Sequence, residues 1–455
     1  MIQTKTANAI ARATVEQLAE HNHEPGWLKE SRLASWERYL NTPMPLPREE
    51  WRRTEIAALD PSALVTLEPG PLTGTLAGSP AWFQGVTSQI TGGSGFLLQL
   101  AGAPGYRRLS AELEKKGVIF TDIASAIDKH ADKIEPYLAG GAAGADDKFG
   151  LMNQALFNCG IFLYVPQGVE VELPFVSGIG LSDRNDIAGG ALLPRLVVVA
   201  ESQARVSFVH LAGSPMPSAG PAGIEKTAGL TLVSPVTDIF VGPGAAVSYL
   251  EVQQHGPHIF SISRTRTRVG RDGHFTSLTV ATGGRQYKTD IETLLEEQGA
   301  ASSVLGIVFG AGQEKFSFNT LQEHNARDTR SNINFRVALK DKATSVYQGN
   351  IKVDKVAQKT DAYQQNKNLL LGSEARADSI PRLEILADDV KCSHGATVGP
   401  VDKDQIFYLM SRGLTHAQAE ELIVLGFFRQ VLEQFGRPYA SEWLTGIISK
   451  KVYGY

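Results

Sequence analysis

Cys392 and His394 lie two residues apart in the stretch DDVKCSHGATVG (388–399). Thiol and imidazole are the side chains that soft and borderline metals prefer. In a strand, positions i and i+2 point to the same face, so both side chains can turn toward one ion. Two ligands do not close a metal site. The spacing therefore predicts half a site, with the other ligands elsewhere on this chain or on another. The competing reading is a small core residue beside a hydrogen-bonded histidine. A Cys–His catalytic dyad is less suited, because neighbours on one strand project in parallel and activate each other poorly.

Other candidates carry less. Cys159 follows Asn158 and precedes Gly160, and reads as a small buried hydrophobe. His324, in LQEHNARDTRSN, reads as a structural turn or ladder residue. His21, His23, His130 and His416 sit in helical or polar segments and are expected in solvent. His255 and His258 flank Pro257 without ligand spacing. The run YQQNKNLLL (363–371) is expected to form a stacked polar ladder. Two cysteines in 455 residues rule out a self-contained four-cysteine cluster. The chain has no GxxxxGK[ST] loop, GxSxG elbow, HExxH or paired CxxC motif, so the usual hydrolase and zinc signatures are missing.

The composition is that of an ordinary globular protein: 42% hydrophobic and 20% charged, with a net charge of −4. That charge gives no reason to expect nucleic acid. No apolar run approaches the ~20 residues of a membrane span. The N-terminal stretch lacks the apolar core of a secretory signal, and Glu16 and Glu20 argue against a transit peptide. The low cysteine usage fits a reducing cytoplasm. There are 45 glycines, above the usual ~7%, which points to many tight turns.

Three textures follow one another along the chain. Residues 1–150 read as mainly helical. Ala7, Ile10, Ala11, Thr14 and Leu18 share one helical face, as do Ile123, Ile127 and Ile134. TPMPLP (42–47) is a stiff linker, and LAGGAAGADDK (138–148) a loop at the first domain boundary. Across 151–398, β-branched and aromatic runs of about four to eight residues alternate with Gly, Asn and Asp, an all-β pattern. Gly244, Gly273, Ala300 and Arg330 recur at roughly 27–30 residues, a loose solenoid period. A stacked β-helix fits better than a two-sheet sandwich, because roughly 240 residues is long for one sandwich. From 399 to 455 the pattern returns to helix. Asp402 and the Thr415–Gln418 box mark two helix starts, and Gly413 marks a stop. Ile406, Leu409, Leu422 and Leu425 are expected to make apolar contacts, to the β region or to a partner.

The stretch from 345 to 428 resembles the SufD family of scaffold subunits in the Suf iron–sulfur cluster assembly machine. The resemblance rests on Pro381, LEI (383–385), ADDVKCSHGATVG and FYLMSRG, and continues into LTHAQAEELIVLGFF. KFGLMNQALFNCGIFLYVPQGVEVELPF (148–175) and PREEWRRTEI (47–56) resemble further family segments. The Cys–Ser–His–Gly form favours this branch over the sister SufB branch. The resemblance implies a right-handed parallel β-helix flanked by N-terminal and C-terminal helical domains, and a non-enzymatic role. It implies a SufB partner joined through the β-helix and a SufC ATPase docked on the helices 403–430. It also implies that His394 and Cys392 contribute to a nascent iron–sulfur cluster shared with SufB, none being held stably by the isolated chain. A homodimeric scaffold is an alternative. A β-helix carbohydrate-active enzyme is the rival from another class, and it should show a catalytic cleft or strict hexapeptide repeats.

Overall fold

The computed structural model describes residues 10–45, 49–56, 59–90, 93–139, 147–182, 189–215 and 230–453. Ala7, the ends of TPMPLP and PREEWRRTEI near residue 47, and most of the 138–148 loop lie outside the described residues. The chain is mainly β: a parallel solenoid with helices at both ends. Each coil gives one strand to each of two facing sheets. The first sheet runs from Ile119–Asp122 and Cys159–Val165 through Gln286–Leu295, Lys315–His324 and Thr344–Val353 to Arg376–Ile385. The second runs from Ala103–Leu109 and Gly95–Ala101 through Ala301–Gly310, Arg330–Leu339 and Asp361–Leu370 to Lys391–Pro400. Strands of successive coils are parallel and in register: His274, Ala301, Arg330, Asp361 and Lys391 stack rung on rung.

The period is set at the corners. One corner of successive coils takes a left-handed residue: Gln203, Gly244, Asp272, Gly299, Asp328 and Lys359. The amide of each of these residues bonds a carbonyl of the next coil, as Asp272 N does to Gln298 O at 3.0 Å and Asp328 N to Gln358 O at 3.0 Å. Glycine takes this backbone at no steric cost and aspartate tolerates it. The corner therefore repeats in conformation while its residue type varies.

One apolar cluster fills the solenoid from Phe120 and Phe175 to Ala375 and Ala387. The outer faces are covered in part. Val424, Phe428, Val431 and Leu432 of the helix His416–Phe435 lie on Leu278, Val280, Leu305 and Ile307 of the second sheet. Ile123, Ile127 and Ile134 pack over Phe162, Val197 and Val199 of the first. That is why strands such as SSVLGIVFG carry apolar residues on both faces.

Several details differ from the sequence reading. The apolar run GFLLQLA (95–101), within the N-terminal part, is a strand that pairs in parallel with Phe175–Leu181. Buried on both faces, it shows no alternation by which to recognise it. The isoleucine pattern covers two helices, Ile123–Lys129 and Ala131–Leu138, separated at His130. The C-terminal part holds three helices, Lys403–Ser411, His416–Phe435 and Pro438–Tyr453. Asp402 and Thr415 cap the first two as expected, with Thr415 N bonding Gln418 Oε1 at 2.9 Å.

The interior also holds a carboxyl group. Glu251 is buried among the inward-facing residues, where burial pushes its carboxyl up to about 7 against the hydrogen bond that Tyr287 Oη donates at 3.3 Å. Among the described residues it has no ion pair. An acid whose pKa is raised on folding lowers stability as pH climbs from its unfolded value through its folded one. Between pH 4.5 and pH 7 the fold thus loses about 3 kcal/mol at this group. We expect Glu251→Gln to be near-neutral at pH 4.5 and stabilising at pH 8, read from urea unfolding at both pH values. An equal effect at the two would contradict the assignment.

Candidate functional site

The two ends of the solenoid differ. At the N-terminal end the sheets finish in antiparallel strands, Ile119–Asp122 and Ala103–Leu109. At the other end, Arg376–Ile385 and Lys391–Pro400 are ten-residue strands, each with a neighbour on one side only. Their outer edges present a row of backbone N–H and C=O groups ready to pair with another strand. Ile385, Leu386 and Val398 are exposed there, so the apolar interior is open to solvent in cross-section. A solenoid end normally needs a cap with a polar outer face.

Cys392 and His394 lie on this last rung. In the ladder, Cys392 stands beside Ala362 and His394 beside Gln364. Ala362 and Gln364 are buried, and Ala362 belongs to the interior cluster. The pleat puts the thiol and imidazole on the same inward face. With no further coil above them, Cys392 is half-buried and His394 exposed. Burial, then the charge of Asp361, raise the Cys392 thiol above its ordinary range. It is therefore a protonated thiol at neutral pH, and a metal would have to displace that proton to bind it. Among the described residues, no three His, Cys, Asp or Glu side chains group closely enough to hold a metal ion. The two candidates share a face, and the described residues do not complete a coordination shell around them.

The remaining candidates separate cleanly. Cys159 is buried near the opposite end of the solenoid, and burial pushes its thiol far up. Next to it, a Cβ on Gly160 would fall 1.8 Å from Arg195 O, so the adjacent strand requires glycine there. His324 is buried with both ring nitrogens satisfied, Nδ1 to Thr329 Oγ1 and Nε2 to Ser331 Oγ, each at 2.8 Å. It is a structural residue, and burial lowers it to about 4. The amide run is two-faced: Gln364, Asn366 and Asn368 point inward and are buried, while Tyr363 is exposed on the outer face. His255 is buried with neither nitrogen bonded, which the sequence did not signal.

Comparison with known proteins agrees with this architecture. Residues 183–427 match the family model described as SUF system FeS cluster assembly, SufBD core domain, and residues 106–176 match SufBD protein N-terminal region. A Bacillus subtilis protein named iron–sulfur cluster assembly protein SufD is 30% identical over 98% of this chain and 99% of its own length. A Staphylococcus epidermidis protein named as an iron–sulfur cluster assembly SufBD family protein is 28% identical over 74% of this chain and 70% of its own length. A Staphylococcus aureus protein with the same family name is 27% identical over the same shares.

The burial contrast predicts opposite outcomes for two histidines. His394→Ala should change unfolding free energy by no more than about 0.5 kcal/mol, as an exposed site does. His324→Ala should cost about 2–4 kcal/mol, because it leaves a cavity and orphans the buried Ser331 hydroxyl, while Thr329 keeps Ala326 O and Thr360 Oγ1. Chemical denaturation of the two variants measures both. A large loss for His394→Ala would mean that its imidazole is a structural group.

Proposed function

This chain belongs to the SufBD family of iron–sulfur cluster assembly proteins, and from that premise we propose that it is a non-catalytic scaffold subunit whose open end is completed by a SufB chain. The observation that carries the reading is the last rung, where the interior face of the solenoid, with Cys392 and His394 on it, is left uncovered. A SufB solenoid set end to end would pair with the two edge strands and cover Ile385, Leu386 and Val398. It would also add its own ligands around the same space. The nascent cluster is then cargo assembled at a junction. A thiol that stays protonated until iron arrives suits transient holding, with iron binding releasing the proton.

The division of labour follows the chain. The part up to 150 supplies the first strands and the helices at that end, 151–398 form the rest of the solenoid, and 399–455 carry the docking face for a SufC ATPase. Within this last part the apolar positions split. Ile406 is buried and Leu425 leans on the sheet cluster, whereas Leu422, Phe407, Tyr408 and Met410 are exposed, Phe407 at 73%. Aromatic side chains exposed on short capped helices are the kind that anchor protein interfaces. ATP-driven pairing of two SufC copies, one on each scaffold chain, would pull on the helices and shift the junction between closed and open states. No described helix is long and apolar enough to cross a membrane. Both cysteines are free thiols, as work in a reducing cytoplasm requires.

The test is to purify the chain with SufB and SufC under anaerobic conditions and measure cluster yield after reconstitution. We expect His394→Ala to keep the complex and lose most of the cluster, and Phe407→Asp to lose SufC by at least tenfold in affinity while keeping SufB. Alone, the chain should hold little iron. Normal cluster yield from the His394→Ala complex, or a stable cluster on the isolated chain, would overturn the proposal. The helix 416–435 is part of the core, so deleting the whole C-terminal part would confound docking with unfolding.

A further inference from the structure

A second feature lies on the outer face of the first sheet, reaching from its middle coils to the last. The short turn Glu49–Trp51 overhangs strands Gln286–Leu295, Lys315–His324 and Thr344–Val353. Trp51 is anchored by stacking on Phe149, ring centroids 5.4 Å apart, with Lys288 Nζ 4.7 Å from its ring. Between turn and sheet is a cleft of about 330 Å³. That is at the small end of the usual range for ligand pockets, about 300–1,000 Å³.

Its charges are mostly paired. Arg264 holds Asp147 at 2.8 Å and Asp290 at 3.6 Å, Lys288 also pairs with Asp290, and Arg382 pairs with Glu49. Two further carboxylates line the cleft. Glu292 meets Arg266 only at 3.7 Å, and Glu50 has no ion pair among the described residues. The cleft therefore has an excess of negative charge.

Its amides are satisfied only in part: Asn319 Nδ2 donates to Asp290 Oδ1 at 2.7 Å. Gln348 lines the cleft and is 7% exposed, yet its Nε2 has no partner. Asn319 Oδ1 and Asn350 Oδ1, on the same wall, also have none. A buried polar group without a partner costs about 1–3 kcal/mol. Three such groups around one cleft with surplus carboxylate describe a site for a molecule with donors and acceptors of its own.

We propose that this cleft binds a small zwitterion of the α-amino-acid type. An ammonium group brings three donors and no acceptor, matching Glu50, Glu292 and the carbonyl oxygen of Asn350. A carboxylate accepts from Gln348 Nε2. The wall includes Leu321 and Trp51, which gives the side chain an apolar surface. A bare divalent cation suits the site less well, because it offers no acceptor to Gln348 Nε2. The ligand would bridge the N-terminal turn to Arg382 on the last coil, next to the open end.

The test uses the full chain and each of the twenty amino acids as separate probes, by thermal shift and then calorimetry. At least one should raise the melting temperature in a saturable way. Its N-acetyl derivative, which lacks the ammonium charge, should bind at least tenfold more weakly. Gln348→Leu and Asn350→Leu should each weaken binding at least tenfold while leaving the circular dichroism and unliganded melting temperature close to those of the parent chain. If one variant misfolds, the other and the N-acetyl comparison still decide. The proposal is overturned if no amino acid shifts melting beyond sodium chloride at equal ionic strength. It is also overturned if the N-acetyl derivative binds equally well, or if a folded variant binds like the parent.

Discussion

Everything in this structure depends on the rung-by-rung pairing of parallel coils. Inside the stack, each strand's N–H and C=O groups are satisfied by the coils above and below, and each inward side chain is sealed by its ladder neighbours. The arrangement cannot satisfy its own last rung. The final strands, Arg376–Ile385 and Lys391–Pro400, carry the same register and pleat as those before them, but among the described residues no further strand pairs with their outer edges. Backbone edges and apolar cross-section are exposed together, with a thiol and an imidazole among them. The proposed function follows from that incompleteness: in it, the missing half of the rung is another protein's end.

The flanking helices explain why the open end is local. The C-terminal helices cover the outer face of the second sheet in its middle coils, the helix Ala81–Gln89 covers its first coils, and the other N-terminal helices lie over the first coils of the first sheet. Toward the last coils both outer faces carry solvated side chains such as Lys352, Tyr363 and Lys367. The junction thus offers a flat end and polar flanks. The exposed aromatic face of Lys403–Ser411 follows directly after the last strand. A pull on that helix would act on Lys391–Pro400 through two intervening residues. Under the proposed function, that short connection would be the route from a docked ATPase to the last rung.

Much of this was legible in the residues, and the rest was hidden for identifiable reasons. The i, i+2 spacing of Cys392 and His394 correctly placed them on one face of a strand, because side-chain alternation is strict there. Whether that face pointed in or out depended on partners thirty residues away, Ala362 and Gln364, which local pattern does not register. The solenoid period showed only loosely because its left-handed corner is filled by Gln203, Gly244, Asp272, Gly299, Asp328 and Lys359 in turn. The helix Pro438–Tyr453 was missed: it starts at a proline with no acidic residue in its first turn. The cleft under Trp51 joins residues 49–51 to 348–350, a contact no short motif announces.

The most direct test of the account is backbone hydrogen exchange on the free chain and on its complex with SufB. If the last rung is where SufB closes the solenoid, amides within Arg376–Ile385 and Lys391–Pro400 should become strongly protected on complex formation, while those of the middle coils should stay as they were. Unchanged exchange in both edge strands of a demonstrably formed complex would contradict the account and place the interface elsewhere.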